Sequence, residues 1–304
     1  MKRAIITGPT GAIGNALINV LIENGVEVIA VCRANSKRVA NIPNSKLVRV
    51  VECDLCNLSM LPSLIEEKQD VFYHFAWDGT FGNARNNVEG QIRNIQYSLD
   101  AVEVASKLGC DTFVGAGSQA EYGRFEGKLN EQVPTFPDNG YGIAKLCAGQ
   151  LSRIRCSQLG MKHIWTRMLS IYGPYDSENT MIMSTIKKLL NGEKPSLTKG
   201  EQLWDYLFSA DVGKAMYLLG DKGVSGKVYC LGSGETKKLA DYVKILRDAI
   251  DPNLELGIGD LTYNDKQVMH LCADISDLRN DTGFEASFSF EEGIRITIDW
   301  CRGK

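Results

Sequence analysis

Apolar positions along the first part of the chain form short strand-like runs, separated by longer stretches with helical periodicity. The strand-like runs lie at 3–7, 26–31, 47–52, 71–76, 112–116 and 163–168, and the longest helical patterns lie at 88–108 and 141–159. Strands joined by helical crossovers form parallel sheets, because a tight turn cannot join parallel neighbours. The pattern therefore predicts an α/β fold with a doubly wound parallel sheet. The residues that follow each strand are the first candidates for function.

Residues 7–14, TGPTGAIG, lie between the first run and an apolar-periodic helix. Gly8, Gly11 and Gly14 have the spacing of a dinucleotide-phosphate turn. Without a Cβ, the first two let the backbone approach a pyrophosphate and the third lets helix and strand pack closely, while the helix N-terminus faces the phosphate charge. We therefore predict a nucleotide-binding unit of the Rossmann type. A purely structural turn is the alternative.

The pattern changes after residue 174, where elements become shorter and less regular. We predict a dinucleotide-binding Rossmann domain over 1–172, with a return segment around 205–232. A smaller C-terminal substrate-binding subdomain is predicted from 173–204 and 233–304.

The second strand is followed by basic residues, where NAD-binding proteins usually have an acidic residue for the adenosine ribose. Arg33 comes first, and Ser36, Lys37 and Arg38 follow. A guanidinium makes planar, charge-assisted contacts with phosphate, so this stretch favours NADP over NAD. An ordinary solvated basic loop is the alternative. Asp54, after the third strand, is either an acceptor for the adenine amino group or a surface acid.

Tyr141 and Lys145 in YGIAK are spaced i, i+4, which places both side chains on one helix face. A cation beside a phenol favours the phenolate and brings the tyrosine pKa down from about 10 toward a usable acid/base range. Ser118, in GSQAEYG, can hydrogen-bond a substrate carbonyl or hydroxyl, although a helix cap is the alternative. These three residues are the candidate catalytic group.

Composition restricts the remaining possibilities. The 34 basic and 37 acidic residues provide no overall field for nucleic acid or an anionic membrane. The chain has no secretory signal pattern and no apolar run of about 18 residues, so a soluble cytoplasmic protein is expected. Nine cysteines at irregular spacings fit a reducing compartment. Cys53 and Cys56 form a single CxxC with no histidine ligand pair, so no metal is predicted.

The chain resembles the extended short-chain dehydrogenases/reductases, often called the NAD-dependent epimerase/dehydratase family. The motifs that carry the resemblance are TGPTGAIG, the Cys53-Asp54-Leu55 step, HFAW at 74–77, GSQAEYG, YGIAK, RMLSIYGP at 167–174 and WDYLFSADVGKAM from Trp204. They stand in the family's order over nearly the whole chain. The resemblance implies that Tyr141 is the acid/base, that Lys145 binds the nicotinamide ribose and that Ser118 positions the substrate, expected to be a sugar nucleotide.

With the basic stretch included, the candidate cofactor-binding residues are Gly8, Thr10, Gly11, Ile13, Arg33, Ser36, Lys37, Asp54, Leu55, Phe75, Ala76, Trp77, Tyr141 and Lys145. The resemblance assigns the pyrophosphate to the glycine turn, the adenine to Asp54 and Leu55, and the central part of the cofactor to Phe75 and Ala76.

Two departures from the family pattern bear on the reaction. In the family's 4,6-dehydratases, the hydroxyl residue at the Ser118 position is followed by an Asp-Glu pair that performs the elimination. Here Gln119 and Ala120 follow, and Glu121 is expected to point to the opposite side of an extended stretch. Dehydration is therefore not expected.

The arginines that usually grip the substrate diphosphate also differ. Trp204 stands where the family tends to have one, and only Asn264 and Lys266 lie near the place of the second. Lys266, Lys199 and Arg279 are candidate substitutes. The candidate substrate-site residues are Trp77, Asp78, Gln119, Trp204 and Lys266, with loop packing as the alternative for the first three.

Cofactor use separates two reactions. An epimerase holds its cofactor and returns the hydride to the same substrate, whereas a reductase draws on a pool that is mostly NADPH. Arg33 therefore favours an NADPH-dependent ketoreductase acting on a keto-sugar nucleotide, such as a 4-keto-6-deoxy sugar. A nucleotide-sugar 4-epimerase with tightly bound NAD is the alternative. A non-catalytic NADP-binding regulator is disfavoured, because the candidate catalytic group is complete.

The two long helical patterns also suggest an assembly. Family members often pair across a two-fold axis through these helices, so a homodimer is expected. The apolar residues Val102, Ala105, Leu146, Leu151 and Ile154 fit either that interface or the protein's own core.

Overall fold

The computed structural model describes residues 1–264 and 267–303. Its strands are β1 (Arg3–Thr7), β2 (Glu27–Cys32), β3 (Val48–Glu52), β4 (Val71–His74), β5 (Thr112–Ser118), β6 (Lys128–Leu129), β7 (Lys162–Met168), β8 (Ser170–Tyr172), β9 (Ser196–Leu197), β10 (Leu203–Trp204), β11 (Tyr206–Phe208), β12 (Val228–Leu231), β13 (Lys237–Lys238), β14 (Gly257–Ile258) and β15 (Cys272–Ala273). Its α-helices are α1 (Ala12–Glu23), α2 (Leu61–Leu64), α3 (Val88–Lys107), α4 (Gly140–Gln158), α5 (Met181–Leu190), α6 (Ser209–Lys222), α7 (Leu239–Ile250), α8 (Ser276–Thr282) and α9 (Phe290–Arg302). Short 3₁₀ helices lie at Lys37–Asn41, Leu55–Met60, Gly82–Asn86 and Gln119–Glu121.

Seven parallel strands form the central sheet, in the order β12-β7-β5-β4-β1-β2-β3. The six predicted strands correspond to β1, β2, β3, β4, β5 and β7. The seventh, β12, comes from the predicted return segment and pairs with β7 from Val228 opposite Trp165 to Leu231 opposite Met168. The prediction of a doubly wound parallel sheet is confirmed.

Both faces of the sheet are buried. Ile6 belongs to an apolar cluster with Leu17 of α1 and Val212 of α6, whereas Ile5 belongs to a second cluster with Val102 of α3. Because side chains alternate along a strand, neighbouring residues of β1 serve opposite clusters. Helices cover the two faces, so the carboxyl ends of the strands remain the edge where a ligand can enter.

A third apolar cluster lies outside the sheet. Helices α5, α7 and α9 contribute Ile186, Leu246 and Ile294 to it, and Trp204 packs against both this cluster and the cluster of Ile6. These residues include members of the predicted C-terminal subdomain, whose boundaries stay a prediction.

Within the described residues, no helix is both long and apolar enough to cross a bilayer. Cys53 and Cys56, which form the CxxC, are not joined by a disulfide. In 1–264 and 267–303, no group of three or more His, Cys, Asp or Glu side chains is arranged to hold a metal ion.

Candidate active site

The glycine turn joins β1 to α1 in the conformation that a phosphate cradle requires. Gly8 has a φ of +72°, and a Cβ there would lie 2.9 Å from the Ala76 amide nitrogen. A Cβ on Gly14 would collide with the Gly8 carbonyl oxygen. Helix α1 begins directly after Gly11, with no acidic residue in its first turn. The turn therefore presents backbone and a helix N-terminus to the adjoining cavity, which fits the pyrophosphate of a dinucleotide.

A cavity of about 420 Å³ opens beside this turn. The predicted residues that line it are Gly8, Thr10, Gly11, Arg33, Ser36, Asp54, Leu55, Phe75, Ala76, Trp77 and Asp78. Segments that follow β1, β2, β3 and β4 thus meet at one place, as expected for the carboxyl ends of parallel strands. We call this space the adenosine-side cavity.

Four predicted cofactor residues do not line this cavity, namely Ile13, Lys37, Tyr141 and Lys145. Ile13 and Lys37 line a second cavity of about 610 Å³, which shares Gly8 and Gly11 with the first. Arg38, in contrast, lines both cavities, and its guanidinium donates to the Thr10 carbonyl at 3.1 Å. Arg33 and Arg38 therefore both place positive charge on the lining of the adenosine-side cavity.

Tyr141 and Lys145 lie on one face of α4, but the ammonium is not bound to the phenol. Lys145 Nζ donates to the Ala116 carbonyl at 2.6 Å and lies 3.7 Å from the centroid of the Trp77 ring. It is 5.8 Å from the centroid of the Tyr141 ring. Burial lowers the pKa of Lys145 to about 7. Instead of the expected contact with the phenol, the ammonium contacts the Ala116 carbonyl of β5 and the ring of Trp77.

The Tyr141 side chain is half-buried. Burial raises the pKa of Tyr141, while a hydrogen bond from Ser118 and the charge of Arg85 act in the opposite direction. The Arg85 guanidinium lies 4.7 Å from the centroid of the Tyr141 ring, and Trp77 meets the same ring edge-on at 6.1 Å. The expected lowering of the tyrosine pKa by Lys145 is not present in this arrangement.

Ser118 ends β5 and has two structural roles beside the phenol. Its Oγ accepts from the Ala120 amide at 3.2 Å, and its own amide donates to Glu121 at 2.8 Å, which forms a capping box. The helix-cap alternative therefore holds, and it fixes the hydroxyl near Tyr141.

Glu121 is not on an extended stretch, as the sequence suggested, but in a 3₁₀ turn. Its carboxylate is fully buried and accepts from Arg167 at 2.7 Å and from Trp165 at 3.0 Å. The expected direction of the Glu121 side chain was wrong, because it assumed an extended backbone where the chain forms a 3₁₀ turn. The conclusion that it is not free for elimination chemistry remains, because the carboxylate is paired inside the protein.

The predicted substrate residues do not all lie together. Asp78 is exposed at the adenosine-side cavity, and Gln119 is half-buried next to Ser118. Trp204 donates from its indole nitrogen to Ser170 at 2.7 Å and packs between two apolar clusters, so its place is explained by packing. Lys266 lies outside the described residues. Lys199 and Arg279 are exposed, on the loop after β9 and on α8.

Several residues of the site were not identified from the sequence. Arg85 covers Tyr141, and Gln91 fixes the Trp77 indole with a hydrogen bond of 3.0 Å. Asp176 lines the second cavity, and burial raises its pKa to about 6. The position of Asp176 two residues after the YGP motif was an available signal. The sequence contains no comparable signal for Arg85, a single arginine before α3, or for Gln91, a single glutamine within it.

Comparison with known proteins places this architecture in a family. The profile described as "NAD dependent epimerase/dehydratase family" matches residues 4–232. The dTDP-glucose 4,6-dehydratase of Xanthomonas campestris is 25% identical over 99% of this chain and 93% of its own length. The mouse dTDP-D-glucose 4,6-dehydratase is also 25% identical, over 99% of this chain and 89% of its own length.

Solved structures show the same fold. The UDP-N-acetylglucosamine 4-epimerase of Methanobrevibacter ruminantium superimposes with a TM-score of 0.87 at 22% identity, covering 99% of this chain and 98% of its own. The dTDP-glucose 4,6-dehydratase of Streptomyces venezuelae, determined with NAD bound, gives a TM-score of 0.88 at 20% identity, covering 99% and 97%. With the family profile matched from β1 to the end of the central sheet, the chain belongs to the NAD dependent epimerase/dehydratase family.

Proposed function

We propose that this protein is an NADPH-dependent ketoreductase that acts on a keto-sugar nucleotide, with a 4-keto-6-deoxy sugar as the first candidate. The broader part of the proposal, an NAD(P)-dependent enzyme of sugar nucleotides, is supported by relatives named as dTDP-glucose dehydratases and as UDP-sugar epimerases. The narrower part depends on the residues of this chain.

The observation that carries the choice of NADPH is the charge of the adenosine-side cavity. Arg33 and Arg38 line it, and no acidic residue stands at 32–38 to bind ribose hydroxyls. A 2′-phosphate needs such cations, and guanidinium groups bind it in planar geometry. The acids on the same lining, Asp54 and Asp78, follow β3 and β4, so neither stands after β2, where the ribose-binding acid of an NAD site is expected.

When bound, the cofactor supplies the hydride that reduces the carbonyl carbon. Tyr141 then donates its phenolic proton to the carbonyl oxygen, and burial, which raises its pKa, keeps that proton in place until it is needed. Ser118, held by its capping box, donates a hydrogen bond to the same oxygen. Lys145 would hold the nicotinamide ribose, as the family resemblance implies, and its positive charge would support the phenolate from the same face of α4.

Dehydration is excluded from the proposal by the residues after Ser118. Gln119 and Ala120 have no acid/base group, and the carboxylate of Glu121 is buried against Arg167. A nucleotide-sugar 4-epimerase with tightly held NAD is the second candidate, because Ser118, Tyr141 and Lys145 would serve it equally. Several solved structures with the same fold are named as such epimerases.

The test begins with the purified protein, denatured so that any retained nucleotide is identified by mass. The protein is then incubated with NADPH and 4-keto-6-deoxy sugar nucleotides, and the loss of reduced-nicotinamide absorbance is followed. We expect turnover with NADPH, and a loss of at least about 100-fold in kcat for Tyr141→Phe with unchanged NADPH affinity. Tightly retained NAD with no oxidation of NADPH would instead support the epimerase.

We also propose that the protein is a homodimer through α3 and α4. Val102 and Ala105 are fully buried in the protein's own core, which removes them from the expected interface. Ile92, Ile143, Leu151 and Ile154 on the same helices are exposed. Sedimentation of the wild type and of Ile154→Glu tests this, since a charge there would dissociate the pair. A cytoplasmic location also stays a prediction.

A further inference from the structure

The candidate catalytic lysine is buried, and no carboxylate among the residues that the structure describes contacts its ammonium. Lys145 is 3% exposed, and its ammonium has one direct hydrogen-bond acceptor in the described residues, the Ala116 carbonyl at 2.6 Å. A buried ammonium tends to lose its proton unless other groups stabilise the charge. The Trp77 ring is the group placed to do so, because its centroid is 3.7 Å from Nζ.

Trp77 is held firmly in this position. Its indole nitrogen donates to Gln91 Oε1 at 3.0 Å, and Gln91 Nε2 donates to the carbonyls of Gly79 and Ala84 at 3.0 and 3.1 Å. Gln91 is 3% exposed and lies on the first turns of α3. One buried amide therefore ties the indole to two carbonyls of the segment that follows it.

We propose that Trp77 is a positioning residue for Lys145, whose ammonium it binds on the face of an indole ring fixed by Gln91, so that the lysine keeps more of its charge beside Tyr141 than burial alone would allow. The inference deepens the proposed function and rests on it only for the task of Lys145. Since Trp77 also lines the adenosine-side cavity, the same ring forms part of the wall that the cofactor meets.

The other ionisable groups around Lys145 do not replace the ring. His74 faces it from β4, but burial lowers the pKa of His74 to about 3, so that imidazole is neutral. Glu121 raises the pKa of Lys145 from the turn after β5, while its carboxylate is bonded to Arg167. Tyr141 is neutral. Arg85, which lies over the Tyr141 ring, adds positive charge and so does not stabilise an ammonium.

The test measures the charge on Lys145 directly, without substrate. Lysine labelled with ¹³C at Cε and ¹⁵N at Nζ is titrated by NMR, and the signal is assigned by its loss in Lys145→Met. Tryptophan is replaced by 5-fluorotryptophan and by more heavily fluorinated analogues, which weaken the negative ring face with little change in shape. We expect the pKa of Lys145 to fall by about half a unit with the first analogue and further with each added fluorine.

Fluorination reaches all four tryptophans, so the control is the same series in Trp77→Phe, where the Lys145 pKa should not respond. In the protein that keeps Trp77, Gln91→Leu frees the indole and should lower the pKa of Lys145. Gln96→Leu, on the exposed face of α3, should leave the pKa of Lys145 unchanged. A Lys145 pKa that ignores fluorination, or that falls equally in Trp77→Phe, overturns the inference. Neither result depends on turnover, so a failure of the ketoreductase assay is distinguishable from a failure of this proposal.

Discussion

Arg167 and Glu121 form an ion pair inside the protein, with a nitrogen–oxygen distance of 2.7 Å and side chains that are 4% and 0% exposed. The same carboxylate accepts from the Ser118 amide at 2.8 Å, so the pair fixes the backbone of a candidate catalytic residue. Burial raises the pKa of Glu121, and the charge of Arg167 opposes that rise. The buried pair thus connects stability to the geometry of the site.

Arg167→Met should lower the free energy of unfolding by about 3–5 kcal/mol, because it leaves a buried carboxylate without its partner. The loss should be smaller at about pH 5 than at about pH 8, since protonation of Glu121 removes the uncompensated charge. Urea unfolding at both pH values measures it. The double variant Glu121→Gln, Arg167→Met is the control and should recover part of the stability. Equal losses in the single and double variants would mean that packing, not charge, sets the cost.

Arg33→Ala should weaken NADPH binding by about tenfold or more, which is about 1.4 kcal/mol, with little change for NADH. The reason is that Arg33 lines the adenosine-side cavity, where only NADPH has a 2′-phosphate. Lys37→Ala removes a neighbouring charge from the second cavity and serves as the matched control. Titration at low and moderate salt gives both affinities. Equal weakening of NADPH by the two variants would indicate a general field instead of a contact.

Gly11→Ala and Gly14→Ala should fail in different ways. A Cβ on Gly11 would meet nothing closer than Arg38 Nη2 at 4.0 Å, and its φ of −90° suits any residue. That variant should fold normally and bind the dinucleotide poorly, because the methyl group fills the cradle. Gly14→Ala should lose stability, because its Cβ meets the Gly8 carbonyl and Pro9. Thermal unfolding and NADPH titration separate the two; an unstable Gly11→Ala would contradict the assignment.

The central sheet was predictable because its signals are local. The strand-like runs are short and apolar, and the glycine turn lies between β1 and α1, so sequence order gives topology directly. The strand from the return segment could be placed only approximately. Its four residues, Val228–Leu231, contain no period that distinguishes a strand from a short buried helix.

The chemistry of the site depends on contacts that sequence spacing does not contain. The i, i+4 spacing correctly places Tyr141 and Lys145 on one face of α4, but the Lys145 ammonium turns to Ala116 and Trp77, which come from other segments. Similarly, Lys37 and Arg38 are adjacent in a 3₁₀ helix, and a single step along it decides which of them reaches the adenosine-side cavity. Without the tertiary structure, the two cations are equivalent.

Lys145→Met should make the protein more stable near neutral pH, although it removes a candidate catalytic residue. Burial lowers the pKa of Lys145 to about 7, whereas a lysine in the unfolded chain titrates at about 10.4. Between these values the unfolded state binds more protons, so the stability of the wild type rises with pH across that window. Below it, the cost of burying the charge is fully present, and methionine of similar length avoids it.

We therefore expect Lys145→Met to exceed the wild type by about 1–2 kcal/mol in free energy of unfolding at about pH 6, with the difference shrinking toward pH 10. Urea unfolding at several pH values tests this, with the exposed Lys46→Met as the control that should show no such trend. A difference that stays constant with pH would mean that side-chain packing, and not the buried charge, separates the two proteins. A less stable Lys145→Met would mean that the contacts of the ammonium with the Ala116 carbonyl and the Trp77 ring outweigh the desolvation of its charge.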